Sequence, residues 1–447
     1  MTNPLDATPG TQTLLVTGAT GYIASRLIPR LLAAGYKVRC LARRPERLKG
    51  RAWYPLVEVV PGDVTLPESL PQSMQGINTA YYLIHSMSAG NGYDRVDLQS
   101  ARNFSQAALA AGIRHIIYLG GLADPADPRL TLHLKSRIES GAALREAGVP
   151  VTEFRAGVIV GPGSVSFEMI RFIAEQFPLM IGPLWLRHHS QPIATGNVLD
   201  FLVAALDTPA ARGHVVELGS REVFTYIEVM RSYARIRGLT RLPLLLPGVP
   251  LWFMALFINL LTPVEHSYAV PLVEGLQSDS LVLDEAPMRL FPGIGLLDYA
   301  TSVRLALEDT HPAKMERIWL DQEGQDLIRL KHEGMFIDYR QAQVAAAPAE
   351  VLRTAQRRFN EGRLHLGPLK NFQIEFSSAV CLRLRLAVKL PGQAWLEWTV
   401  LPHAGGTRLQ QTAFFAPRGL PGFLGWYLLR HLLERALARN LKEISAL

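Results

Sequence analysis

Residues 13–35 read TLLVTGATGYIASRLIPRLLAAG, and this stretch decides the fold. Thr13 to Thr17 form a run of strand length that ends on Gly18, and from Tyr22 apolar residues return at helical spacing as far as Gly35. A strand that passes through a glycine-bearing turn directly into a helix is the opening of a dinucleotide-binding βαβ unit. Gly18, Gly21 and Ala24 stand in a GxxGxxA spacing. Gly18 permits the tight turn, Gly21 lets the backbone approach a pyrophosphate, and Ala24 lets the helix pack on the strand. The helix N-terminus adds N–H donors and the positive end of its dipole, so Gly18, Thr20, Gly21, Tyr22 and Ile23 are expected to face a cofactor. On spacing alone, a tight turn that binds nothing is the competing reading.

Outward from this motif, strands are expected near 13–18, 36–42, 55–60, 78–84, 114–120 and 151–160, with helices between them. Such alternation implies α/β architecture, a doubly wound parallel sheet covered on both faces. The Rossmann unit is expected over 12–312, with a Pro- and Gly-rich substrate-side subdomain from about 160, a linker over 313–334 and a second domain over 335–447. That last domain reads as a strand, a helix, antiparallel strands and a long closing helix, an α+β arrangement. Residues 1–11 read as a flexible lead-in without the basic start and apolar run of a secretory signal, which makes the cytoplasm the expected setting.

Composition narrows the function classes. Hydrophobic residues make up 48% of the chain and charged ones 19%, the balance of a core-forming protein. Cys40 and Cys381 match no metal-ligand or redox spacing, nor do His365, His403 and His431, so no metal is expected. The net charge of +7 resides from Lys314 onward, where 19 Lys and Arg face 12 Asp and Glu. These cations are scattered rather than clustered with aromatics, which argues against nucleic acid. Leu242–Val264 carries no charge over a length that could nominally cross a bilayer, yet Pro243, Pro247 and Pro250 leave room for only about three helical turns from Leu251. A buried helix or a lid over an apolar pocket is expected there, with peripheral membrane contact and a true span as alternatives.

The second strand ends on Arg43 and Arg44 where NAD-preferring sites place a carboxylate for the ribose hydroxyls. A guanidinium suits the 2′-phosphate of NADP, so NADP(H) is the expected cofactor, with NAD(H) left open. Asp63 is placed to meet the adenine amino group and Val64 to pack on the ring, although Asp63 could equally be a turn former. Leu83 and His85, after the fourth strand, border the crevice.

TGATGYIA, LARRPE, GDVT, YYLIHSM, YLGGL and FRAGVIVG, in that order, resemble the atypical short-chain dehydrogenase/reductases, close to the NmrA-like members and those associated with respiratory complex I. The resemblance covers roughly 12–310. The tail, from EGMFIDYRQ through KLPGQAWLEW, resembles a bacterial SRPBCC-type domain, shortened between about 358 and 376. For the first domain the resemblance implies a Tyr-x-x-x-Lys pair and a Ser or Thr after the fifth strand. Here His133 stands at the Tyr position, Arg137 at the Lys position, and Gly120 and Gly121 at the hydroxyl position.

His133 is therefore a candidate proton donor, and Arg137 a candidate to hold the ribose or phosphates, although its charge disfavours a protonated imidazole next to it. His85 is the second catalytic candidate; Tyr93 and Ser86 follow. Three functions remain open: reduction of a small carbonyl, enone or quinone-like substrate, NADP(H) sensing or scaffolding without turnover, and carriage of an apolar ligand by the tail. In the tail Trp395, Trp398, Phe414, Phe415 and Trp426 are expected to form a core, with a cavity as the alternative. A homo-oligomer is compatible with every reading.

Overall fold

The computed structural model describes residues 12–85, 92–254, 256, 266–321, 325–364, 371–403 and 405–446. The lead-in, Ser86, residues 257–264 of the apolar stretch, and most of the shortened segment including His365 lie outside the described residues. The chain divides into two compact units, one of residues 1–173, 179–307 and 316–321, the other of 174–178, 308–315 and 322–447.

The first unit is built on β1 (Thr13–Thr17), β2 (Lys37–Ala42), β3 (Glu58–Pro61), β4 (Ile77–Tyr82), β5 (His115–Gly121) and β6 (Val151–Ala156). Three helices among the connections matter for the site: α1 (Tyr22–Ala33), α2 (Tyr93–Ala110) and α3 (Leu132–Glu146). Farther along come β7 (Leu179–Pro183), β8 (Val215–Leu218), α4 (Tyr226–Ile236) and β9 (Leu242–Leu246). Seven strands form one parallel sheet in the order β8-β6-β5-β4-β1-β2-β3. The order reverses between β1 and β4, which opens a crevice at their C-terminal ends, the usual ligand position of such sheets.

Burial explains the sheet's composition. Leu14, Leu15 and Val16 of β1 are inaccessible, and α1 covers the sheet with Ala24, Leu27, Ile28 and Leu31, the i, i+3, i+4, i+7 stripe read from the sequence. Each fully buried Leu or Ile contributes about 1.5–3 kcal/mol. α4 starts at a capping box in which the Thr225 hydroxyl accepts from the Glu228 N–H while the Glu228 carboxylate accepts from the Thr225 N–H.

Three expectations are corrected. Val215–Leu218 supplies a seventh strand paired with β6, unrecognised because four residues carry too little periodicity. Before the helix expected from Leu251, Leu242–Leu246 is a strand paired in parallel with Leu179–Pro183, and the helical turn after Pro250, expected to be buried, exposes Trp252 and Phe253 while Met254 is buried. Leu327–His332, read as part of a linker, is a strand.

The second unit contains β10 (Leu327–His332), β11 (Met335–Val344), α5 (Pro348–Asn360), β12 (Phe372–Ser377), β13 (Cys381–Leu386), β14 (Gly392–His403), β15 (Gly406–Pro417) and α6 (Gly419–Ser445). Its six strands make one antiparallel sheet, ordered β10-β11-β15-β14-β13-β12. Trp398 lies in the core with Leu384, Val400, Leu409 and Ile444; its Nε1 donates to Gln411, whose Nε2 donates to the Leu437 carbonyl of α6. The other aromatics of the tail behave differently. Trp395, Phe414, Phe415 and Trp426 line a cavity of about 540 Å³, in which Trp426 stacks on Phe336 and Phe415.

Candidate functional site

The site forms where β1, β4 and β5 end. Gly18 has φ +69°, and a Cβ there would sit 2.6 Å from the Leu83 carbonyl oxygen, so only glycine lets β1 and the end of β4 approach this closely. The Gly21 N–H donates to the Gly18 carbonyl at 2.7 Å, closing the turn. Gly21 caps α1 without any side-chain acceptor, so the first N–H groups of the helix are free of a capping side chain. That is the cradle a pyrophosphate requires. Thr20 is exposed beside it, whereas the Tyr22 hydroxyl is 2.8 Å from Thr195 Oγ1 and its ring carries the Arg26 guanidinium.

Arg43 and Arg44 are exposed after β2, and no carboxylate pairs with either among the described residues. Asp63 Oδ1 accepts from both the N–H and the hydroxyl of Thr65, so the turn role and Asp63's second oxygen coexist. Val64 is buried in the core beside α2, where its carbonyl accepts from Asn103. The residues present thus fit a dinucleotide carrying a ribose phosphate: a glycine cradle, uncapped helical N–H groups and two guanidinium groups without carboxylate partners.

The candidate catalytic residues converge. His85 Nδ1 is 2.7 Å from Asp97 Oδ2, and His85 Nε2 is 3.1 Å from His133 Nδ1. The Ser136 hydroxyl also donates to Asp97. With Asp97 as a carboxylate, His85 donates Nδ1–H to it and its Nε2 lone pair accepts from His133 Nδ1–H. His133 Nε2 is then the nitrogen left to meet a substrate. Burial, then the neighbouring His85 and Arg137, push the His133 pKa down to about 3. Burial and Arg137 lower that of His85, with Asp97 opposing them. The expected electrostatic penalty from Arg137 on His133 is present, after desolvation and the neighbouring His85.

Arg137 reaches from α3 to the C-terminal ends of β4 and β5. Its guanidinium donates to the Ile84 and Leu119 carbonyls and lies 5.0 Å from the centre of the Tyr118 ring. It therefore ties together the ends of β4 and β5, beside Gly121, whose bare Cα faces Leu134 and Arg137. Tyr93 is buried edge-on to His85 at 6.3 Å, its hydroxyl pKa raised to about 12 by burial and nearby carboxylates.

His133 also lines an apolar cavity of about 130 Å³ with Met169, Met180, Ile181, Tyr226 and Met254. Sequence reading missed Asp97, yet it left a signal. α2 buries Tyr93, Asp97, Ser100 and Ala101, the stripe expected to be apolar, and a carboxylate in that stripe needs a partner. Ser280, whose hydroxyl donates to the Leu122 carbonyl, was missed because 158 residues separate the two.

A profile of an NAD(P)H-binding family matches residues 18–147. A ceramide reductase of Caulobacter vibrioides is 30% identical over 249 residues, 53% of this chain and 75% of that protein. A (4-alkanoyl-5-oxo-2,5-dihydrofuran-3-yl)methyl phosphate reductase of Streptomyces griseus is 29% identical over 231 residues, 50% and 74% respectively. In fold, an Escherichia coli NADPH-dependent quinone oxidoreductase in complex with NADPH superposes with a TM-score of 0.54 at 19% identity, over 66% of this chain and 99% of that one. Through its first unit the chain belongs to the NAD(P)-binding, NmrA-like reductases of the atypical short-chain dehydrogenase/reductase family.

Proposed function

We propose that the first unit is an NADPH-dependent reductase of an apolar carbonyl or enone, with His133 moving the proton. The observation that carries this reading is the Asp97–His85–His133 chain, which runs from a buried carboxylate to the wall of an apolar cavity at the C-terminal ends of β5 and β6. Arg43 and Arg44 hold the 2′-phosphate and the start of α1 the pyrophosphate. When bound, the reduced nicotinamide supplies a hydride. His133, with one extra proton on the histidine pair, gives Nε2–H to the substrate oxygen, and Asp97 stabilises the charge while it resides on the pair. Arg137 is a positioning residue that fixes the strand ends. A relative named as a ceramide reductase accords with a lipid-like substrate. Titrating cofactor-stripped protein with NADPH, then following loss of reduced-nicotinamide absorbance with long-chain ketones, enones and quinones, tests the reading; tight binding without oxidation across the panel would favour a sensor instead.

The cavity of about 540 Å³ in the second unit supports a further reading, that this unit is SRPBCC-like and holds an apolar ligand. Solvent extraction of the purified full chain followed by mass spectrometry tests it. Absence of any co-purified apolar molecule, together with no uptake of a fluorescent fatty acid, would contradict it.

A further inference from the structure

The ribbon formed by β7 and β9 is apolar on the side that faces water. Leu179, Ile181, Leu242, Leu244 and Leu246 are all exposed, Leu242 to 64% and Ile181 to 52%, and the pairing sets Leu179 beside Leu242 and Ile181 beside Leu244 on one face. The alternate residues Met180 and Gly182 are buried. A half-buried strand normally carries polar residues outward, so this outward face has the composition of a covered surface. It continues into the turn after Pro250, where Trp252, 67% exposed, meets Phe253 edge-to-face at 6.0 Å.

We propose that this face docks on an anionic lipid surface. Charge selects that occupant. Neither 177–199 nor 229–264 contains a carboxylate, while Arg187 follows β7 and Arg231, Arg235, Arg237 and Arg241 lead into β9. Two nearby acids are engaged, Glu228 in the cap of α4 and Asp279 with the His189 N–H and the His188 ring. Exposed leucines beside Trp and Phe, bordered by arginines, form the pattern that inserts shallowly at a headgroup boundary and is attracted to negative lipid. Ile181, on this face, and the buried Met254, two residues after Trp252, also line the cavity that His133 lines. Docking stands independently of the reductase reading; delivery of a membrane-dissolved substrate past Ile181 to the cavity of His133 rests on it.

The test is flotation of the full chain with vesicles of phosphatidylcholine alone or mixed with phosphatidylglycerol. The protein is expected to float with the anionic vesicles, several-fold less with phosphatidylcholine alone, and less as salt rises. Leu244→Asp with Trp252→Asp should reduce flotation roughly tenfold or more, because each charge would enter the apolar boundary. Arg187→Gln with Arg241→Gln should remove the preference for anionic vesicles. Both double variants should keep NADPH affinity, which reports an intact fold. No flotation with either vesicle, or flotation unchanged in the Asp variant, overturns the proposal; so does a concentration-dependent dimer that the Asp variant dissolves without any vesicle binding. Oxidation of NADPH by a water-soluble enone without lipid is scored separately, so a failed reductase and a failed docking face give different results.

Discussion

His85 Nε2 lies 3.1 Å from His133 Nδ1, and this contact joins two separate sequence candidates into one hydrogen-bonded pair. Because Asp97 anchors the far nitrogen of His85, the carboxylate and the two rings form one hydrogen-bonded chain, in which the two histidines are electrostatically coupled.

Histidine 133 is the first test of that hydrogen-bonded chain. His133→Phe keeps the buried ring volume and removes the proton path, so turnover should fall by roughly 10²-fold or more while NADPH affinity holds. Steady-state kinetics beside a binding titration reads both; a fully active variant would reduce His133 to packing.

Asp97 raises the proton affinity of His85 against burial and Arg137. The lowered histidine pKa values place the unprotonated form above them, so log kcat/KM for reduction should fall with a slope near −1 as pH rises through neutrality. Asp97→Asn should move the whole profile to lower pH, a displacement that a purely structural role would not cause.

Arg43 should discriminate between cofactors. Losing a charge-assisted contact to phosphate costs about 1.5–3 kcal/mol, so Arg43→Ala should weaken NADPH binding roughly 10- to 150-fold and leave NADH nearly unchanged. Calorimetric titration with each cofactor decides; equal losses would contradict the phosphate role.

The phosphate turn was legible in the sequence because its requirement is local: Gly18 needs φ +69° and close passage past Leu83, and TGATG announces both. The parallel sheet was legible for the same reason, since each strand is a short apolar run between helical patterns. The Asp97–His85–His133 chain was not, because its members are separated by 12 and 48 residues and meet only once the sheet order brings β4, α2 and α3 together. The exposed ribbon was hidden too. Charge-free sequence signals an apolar surface without saying whether protein covers it, and the partner strand Leu179–Pro183 lies far upstream of Leu242.

Gly18→Ala should damage fold and binding together. The added methyl meets the Leu83 carbonyl oxygen at 2.6 Å in a left-handed backbone, a strain of about 1–3 kcal/mol. A lower Tm accompanied by lost NADPH affinity is expected; an unchanged Tm would mean the turn has another conformation.

Acid stability follows from the buried histidines. Burial, with Arg212 adding to it, pushes the His115 pKa down to about 3, while its Nε2 lies 2.8 Å from Thr152 Oγ1. Below the unfolded value of about 6.5 the unfolded chain binds a proton that the native one refuses, so stability falls as pH drops from about 6.5 toward 3, at most by about 1.4 kcal/mol per pH unit for each such group. Denaturant midpoints across that window should fall less steeply in His115→Gln, and an identical slope would remove His115 from the explanation.

The most direct test of the central claim is stopped-flow absorbance of the NADPH-loaded protein mixed with a long-chain enone or quinone, run in parallel for native chain and His133→Phe. Rapid loss of the reduced-nicotinamide band in the native protein, slowed roughly 10²-fold or more in the variant at unchanged cofactor occupancy, is the predicted result. Oxidation at equal rates in both proteins, or none in the native chain across the panel, would contradict it.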